Sequence, residues 1–112
     1  MVERLQVQSC SPFEIYHILN SLEKVEEITV EAELFLPQGE GPFGCVIALH
    51  GSMGWAEHHQ DHINIWLKAG LAVCKVNSFS SRSIDNTVDD QLTVTHAMMI
   101  VDAFRTREVL EQ

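Results

Sequence analysis

The residues best placed to do chemistry lie in a glycine-rich turn that follows an apolar run. Residues 45–55 read CVIALHGSMGW. Small residues after a strand let backbone N–H groups approach a ligand closely, and the N-terminus of a following helix favours negative charge there. The turn could therefore bind a phosphate or the oxyanion of an acyl-transfer reaction. The phosphate interpretation lacks support, because the segment has neither Gly-Lys-Ser/Thr nor a complete G-x-G-x-x-G. A purely structural glycine turn is the remaining alternative.

A histidine-rich segment follows the turn and raises the question of a metal. His58 and His62 are four residues apart, so they share one face of a predicted helix, with Glu57, His59 and Asp61 beside them. A closed zinc site needs three or four ligands, and no third ligand is apparent. We therefore expect a solvated or pocket-rim cluster, and predict no metal and no other cofactor.

Nucleophilic catalysis needs a nucleophile with a base at hydrogen-bonding distance. The 112 residues contain neither G-x-S-x-G nor G-x-C-x-G, the nucleophile-elbow motifs. His50 and Ser52 are close in sequence, and Asp61 is close to His58 and His62, but nothing indicates that these groups converge. A self-contained active site is not expected.

The charge and composition of the chain exclude some classes of binding partner. Sixteen acidic residues against seven basic ones give a net charge of −9, and the basic residues are scattered along the chain. Nucleic acid and anionic membranes bind through clustered cations, so neither is predicted as a partner. The first residues lack the pattern of a signal peptide, and no apolar run is long enough to span a bilayer. We expect a reduced, cytoplasmic protein in which Cys45 and Cys74 are buried within strands.

Periodicity predicts the elements that position the turn. Residues 27–36 alternate between apolar and polar, as in a strand with one wet face, whereas residues 45–49 are continuously apolar, as in a strand covered on both faces. Residues 71–76, which are apolar except for Lys75, predict a third strand. Residues 56–69 have a helical pattern. A long helix is predicted to begin at Thr87, with its core face at the positions Val94, Ala97, Met98, Val101 and Phe104.

The order of these elements predicts an α/β fold whose later strands run parallel. Residues 1–25 are interpreted as an N-terminal extension with a short helix from the Ser11 cap to about Leu19, and residues 26–112 as the α/β domain. Parallel sheets of this kind place their chemistry at the carboxyl ends of the strands. The loops at residues 50–54 and 77–82 are therefore expected to face one another.

Several segments in order resemble the amino-terminal half of dienelactone hydrolase-like α/β-hydrolases. These are the Leu-Pro turn in FLPQGEGP, the His-Gly loop, WLKAGLAV, NSFSSR, and TVDDQ leading into AMMIVDAF. The resemblance covers roughly residues 27–110. It implies a partial α/β-hydrolase sheet of three to four mostly parallel strands flanked by helices, lacking the nucleophile-elbow strand and all later elements of the fold.

The resemblance also implies roles for individual residues. The backbone N–H of Ser52 would belong to an oxyanion hole, His50 and Gly51 would shape its turn, and Arg82 would bind a substrate carboxylate. The implied substrate is a small ester or lactone. We expect this chain to be an N-terminal fragment that is inactive alone and self-associates through a bare sheet edge. The alternative is a non-catalytic interaction module that uses the same edge.

Overall fold

The computed structural model describes residues 2–20 and 22–111. In this part of the chain four strands and three α-helices form one α/β unit. In chain order they are β1 (Val2–Cys10), α1 (Ile15–Asn20), β2 (Glu27–Phe35), β3 (Cys45–Ala48), α2 (Glu57–Lys68), β4 (Ala72–Asn77) and α3 (His96–Leu110). Short 3-10 turns lie at Leu22–Lys24 and Ser80–Arg82.

The four strands form one mixed sheet in the order β1-β2-β4-β3. β1 and β2 are antiparallel, β2 and β4 are antiparallel, and only β3 and β4 are parallel. The prediction of a mostly parallel sheet is therefore wrong. The βαβ unit β3-α2-β4 was recognised from its apolar runs, but β1 was not, and β1 and β2 add an antiparallel ribbon to that unit.

β1 occupies residues assigned above to an N-terminal extension, and it pairs with β2 from Val2 opposite Phe35 to Cys10 opposite Glu27. Its signal is present in the sequence as a short alternation. Val7 is fully buried, whereas the neighbouring Gln6 and Gln8 are exposed. This period of two is typical of a strand with one wet face.

Helices cover the two faces of the sheet. Val7, Ala32 and Cys74 form a cluster on one face, against which Val109 and Leu110 of α3 pack. The next residue of β4 points to the opposite face, as successive strand side chains must. There Lys75 lies beside α2, in a surface cleft shared with Ile63 and His59.

The long C-terminal helix begins at His96, not at Thr87 as predicted. Its N-cap is Thr95, whose side chain accepts from the Met98 N–H. Before it, the Asp90 carboxylate accepts from the Leu92 N–H at 2.9 Å. Such local side-chain bonds offer the backbone an alternative to a helix, so residues 87–95 form turns.

The buried face of α3 also differs from the prediction. Met98 and Val101 are buried as expected, but Phe104 is 60% exposed. Asp102 and Thr106 are buried in its place, each with a relative exposure of 0%. The helix is therefore rotated so that a carboxylate faces the interior.

One of the two cysteines predicted to be buried within strands is buried, and the other is exposed. Cys74 is buried in β4, and burial raises the pKa of its thiol to about 12. Cys45 is exposed, against the prediction, because β3 is an edge strand with β4 as its one neighbour in the sheet. Within the described ranges, no helix has both the length and the apolarity to cross a membrane.

Candidate active site

The turn after β3 is closed by its two glycines. The Gly54 N–H donates to the Gly51 carbonyl at 2.9 Å, and the two residues form an isolated antiparallel bridge. Gly54 has φ +76°, and a Cβ there would lie 2.9 Å from the Asp85 carbonyl oxygen. Glycine is required at this position for both reasons. The close approach also anchors the turn to the loop that begins after the 3-10 turn Ser80–Arg82.

The His50 side chain is buried at the start of this turn, with 6% of its surface exposed. Its ring lies edge-on to Phe79, with 4.2 Å between centroids, and to Trp55 at 5.4 Å. Burial lowers the pKa of His50, whereas its 3.0 Å hydrogen bond with the Gly51 carbonyl acts in the opposite direction. The contact with Phe79 also shows that the loops after β3 and β4 face one another.

Ser52 is exposed at the tip of the turn. Its carbonyl accepts from the Thr87 N–H at 2.7 Å, and its Oγ is 3.4 Å from Gln91 Oε1. Within residues 2–20 and 22–111, no protein acceptor takes the Ser52 backbone N–H. The hydroxyl of Ser52 is bonded to Gln91 and not to His50, so these two neighbours do not form a nucleophile-base pair.

The turn forms one side of a cleft with a volume of 340 Å³. The first turn of α3 and the loop before it form the other side. Neither lysine nor arginine occurs among the described residues that line it, which are His50, Gly51, Ser52, Phe79, Thr87, Gln91, Val94, Thr95, His96 and Met99. The α3 residues were missed in the sequence because their helix was predicted to start elsewhere.

Arg82, predicted to bind a substrate carboxylate, lies behind the cleft and not in its lining. Its side chain is 7% exposed. Nε donates to Ser11 Oγ at 3.0 Å, Nη1 to the Ser78 carbonyl and Asp102 Oδ2 at 3.0 and 2.7 Å, and Nη2 to the Cys10 carbonyl and Asp102 Oδ1, both at 3.0 Å. A guanidinium has five N–H donors, so all of them are used. In this structure Arg82 therefore has no free N–H donor for a substrate carboxylate.

Asp102 is the centre of this buried network. Besides Arg82, it accepts from Ser9 Oγ and Ser78 Oγ, each at 2.6 Å. The network joins the end of β1, the loop after β4 and the middle of α3. Asp102 was not predicted to matter, although a single carboxylate inside the apolar stretch AMMIVDAF was a signal for it.

The histidine segment remains a surface feature of α2. The rings of His58 and His59 are 4.0 Å apart between centroids, and His59 Nδ1 accepts from the Ala56 N–H at 2.9 Å. That bond occupies one of the histidine nitrogens in helix capping. Across the part of the chain that the structure describes, no three His, Cys, Asp or Glu side chains are grouped to hold a metal.

Comparison with known proteins relates this geometry to one fold. No protein-family model matches the chain, and no curated protein matches it in sequence. The fold is similar to a solved structure from Klebsiella pneumoniae subsp. pneumoniae MGH 78578, described as a "Putative Dienelactone Hydrolase", with a TM-score of 0.60 and 15% identity. The match covers 99% of this chain and 44% of that chain. This chain thus has a dienelactone hydrolase-like fold and spans less than half the length of that protein.

Proposed function

We propose that this chain provides the oxyanion-binding part of a hydrolase that cleaves small carboxylic esters or lactones. The observation that carries the proposal is the Ser52 N–H, which has no acceptor among the described residues. It lies in a closed turn at the carboxyl end of β3, beside a 340 Å³ cleft. The likeness in fold to a protein described as a dienelactone hydrolase supports it.

The proposed chemistry begins with attack on the substrate carbonyl carbon by a serine or cysteine nucleophile. This chain lacks the elbow motif, so the nucleophile must come from a further segment. As the bond to the nucleophile forms, the carbonyl π electrons move to the oxygen, and the Ser52 N–H donates to the resulting oxyanion. A base of the same further segment takes the proton of the nucleophile and passes it to the alkoxide that leaves when the intermediate collapses, and water then hydrolyses the acyl-enzyme.

The surrounding residues keep that N–H in place. The glycine bridge between Gly51 and Gly54 fixes the turn, and the Ser52 carbonyl is held by the Thr87 N–H at 2.7 Å. His50 supplies a buried aromatic ring to the turn: it packs edge-on against Phe79 and Trp55, and its Nδ1 lies 3.0 Å from the Gly51 carbonyl oxygen. Preorganised donors of this kind stabilise charge without reorganising during the reaction.

The first test is hydrolysis of p-nitrophenyl acetate. The chain alone is expected to show no turnover above the spontaneous hydrolysis of the ester in the same buffer. The coding sequence after codon 112 is expected to continue into a strand with G-x-S-x-G or G-x-C-x-G, and the longer protein to be active. A stop codon at that point, together with an inactive chain, would contradict the hydrolase proposal.

The second test isolates the Ser52 N–H in the active longer protein. Replacing the amide at residue 52 by a backbone ester removes this donor and keeps the shape of the turn. The loss of one oxyanion donor is expected to lower kcat by about 100- to 1,000-fold. Ser52→Ala, which keeps the N–H, is the matched control and should retain most of the activity. Equal activity of the two variants would refute the assigned role.

A second candidate function rests on the open edge of β3. In the sheet formed by the described residues this strand pairs with β4 alone, and Cys45 at its start and Leu49 directly after its end are exposed. An unpaired apolar strand is a template for pairing with another chain. In this alternative the chain is a non-catalytic interaction module, and the downstream sequence contains no elbow motif.

A further inference from the structure

We propose that the cleft takes uncharged esters or lactones and disfavours substrates that carry a carboxylate. This inference rests on the proposed function, because it names the substrate class of the same cleft. It differs from what the resemblance implies, since that assigns Arg82 to a substrate carboxylate.

The first step of the argument is that Arg82 is committed to the protein. Its bidentate pair with the fully buried Asp102 and its bonds to Ser11 Oγ and to the Ser78 and Cys10 carbonyls together occupy all five N–H donors. A substrate carboxylate could recruit Arg82 only by displacing one of these buried partners, and Arg82 is not among the described residues that line the cleft. Opening a buried, hydrogen-bonded charge network is unfavourable, so this exchange is not expected.

The second step is the chemistry of the cleft itself. Phe79, Val94 and Met99 give it apolar walls, while Thr87 and Gln91 are polar and uncharged. No lysine or arginine lines it in the described ranges. An ionised group taken from water into such a site costs free energy unless it meets an opposite charge.

The third step is the acidic loop at the mouth of the cleft. Asp85, Asp89 and Asp90 are exposed, and they flank the lining residues Thr87 and Gln91 in the sequence. Each lies one or two positions along the chain from Thr87 or Gln91, and salt screens charges only partly at separations below a Debye length of about 8 Å. The chain as a whole carries −9. A carboxylate on the substrate is therefore repelled, whereas a neutral carbonyl group is not.

Two features of the cleft favour negative charge, and both suit a carbonyl oxygen. The Ser52 N–H and the N-terminal turn of α3 at Thr95 are neutral dipoles, so they stabilise charge that develops during reaction. His96 also lines the cleft and is an ionisable group. A His96→Gln variant therefore belongs in the test.

The experiment compares dimethyl succinate with monomethyl succinate, which differ mainly in one carboxylate. Binding to the chain at pH 7.5 is followed by the backbone amide NMR signals of Ser52, Thr87, Thr95 and Met99. The neutral diester is expected to bind at least about tenfold more tightly, with the same preference in His96→Gln. Equal or tighter binding of the monoanion would overturn the inference and leave the proposed function standing. Absence of binding by both compounds would contradict both.

A triple variant tests the cause of the preference. Asp85→Asn, Asp89→Asn and Asp90→Asn together remove three charges and keep a side-chain oxygen at each position, including the acceptor for the Leu92 N–H. Monomethyl succinate should then bind several-fold more tightly, with the affinity for dimethyl succinate unchanged. No change in either affinity would refute the electrostatic origin.

Discussion

Arg82 and Asp102 face each other through two parallel hydrogen bonds, from Nη1 to Oδ2 at 2.7 Å and from Nη2 to Oδ1 at 3.0 Å. They bring together the ends of β1 and β4 and the middle of α3. Because Phe79, which lines the cleft, directly precedes the 3-10 turn that contains Arg82, the pair also supports one wall of the cleft.

Asp102→Ala is expected to destabilise the chain strongly. It would leave the Arg82 guanidinium buried without an opposite charge, and breaking a buried pair in this way costs about 3–5 kcal/mol of unfolding free energy. Urea unfolding followed by circular dichroism measures the loss.

The control for this prediction is Arg107→Ala. Arg107 pairs with Glu111 at 2.8 Å, but both side chains are mostly exposed, at 65% and 61%. An exposed helix pair of this kind contributes about 0.5 kcal/mol or less. Similar losses in Asp102→Ala and Arg107→Ala would show that the buried network has no special role.

Stability is expected to fall when the pH drops below about 6.5. The pKa of His50 is lowered from 6.5 in the fold by burial, so the unfolded chain binds the proton more readily. The contribution of neutral His50 is complete above pH 6.5 and decreases as the pH falls toward the folded pKa. Unfolding midpoints between pH 5 and 8 should show this slope, and His50→Phe should flatten it.

His62→Gln is the matched variant for that experiment, because His62 is an exposed histidine of α2. It should retain the acid sensitivity of the parent chain. If His62→Gln flattens the profile and His50→Phe does not, the acid sensitivity has its origin in the histidine segment and not in the turn.

The sequence was sufficient to predict β3, the turn, α2 and β4, because their signals are local. Apolar runs mark the strands, Gly51 and Gly54 mark the turn, and each element ends within one residue of its predicted bound. The start of α3 was not predicted correctly, because Thr87 and Thr95 both resemble N-cap residues and only the fold shows that Thr95 caps the helix.

The surroundings of Arg82 could not be predicted in the same way. Ser9 is 93 positions from Asp102 in the chain, and Arg82 is 20 positions away. No periodic pattern connects such partners. Their meeting depends on β1 lying under α3, and β1 itself was missed because its alternation is short and interrupted by charged residues.

Gly54→Ala is expected to disturb the turn more than Gly70→Ala does. Both glycines have positive φ, +76° and +87°, so alanine is strained at either position by about 1–2 kcal/mol. A Cβ at Gly54 would also meet the Asp85 carbonyl oxygen at 2.9 Å, whereas one at Gly70 has nothing within 4 Å. Thermal unfolding of the two variants separates the effect of the clash from that of the backbone strain. Equal losses of stability would show that the turn accommodates the Cβ at residue 54 by moving.

The chain is expected to self-associate through β3. The opposite edge strand, β1, carries Glu3 and Arg4, and charged side chains protect an edge from pairing. β3, with the sequence CVIA, has no such protection. A double variant with Cys45→Lys and Leu49→Lys places one charge at the start of this strand and one directly after its end. It should shift the molecular mass measured by light scattering toward that of a monomer.

The control variant Leu19→Lys distinguishes pairing at the edge of β3 from nonspecific hydrophobic association. Leu19 on α1 is 76% exposed, more than the 41% of Leu49, so a nonspecific hydrophobic effect would respond at least as strongly to its replacement. Association through β3 predicts that Leu19→Lys leaves the mass distribution unchanged. A parent chain that is monodisperse, monomeric and cooperatively folded would instead show that the exposed backbone of β3 is tolerated in water, as short edge strands sometimes are, and that no pairing partner is needed.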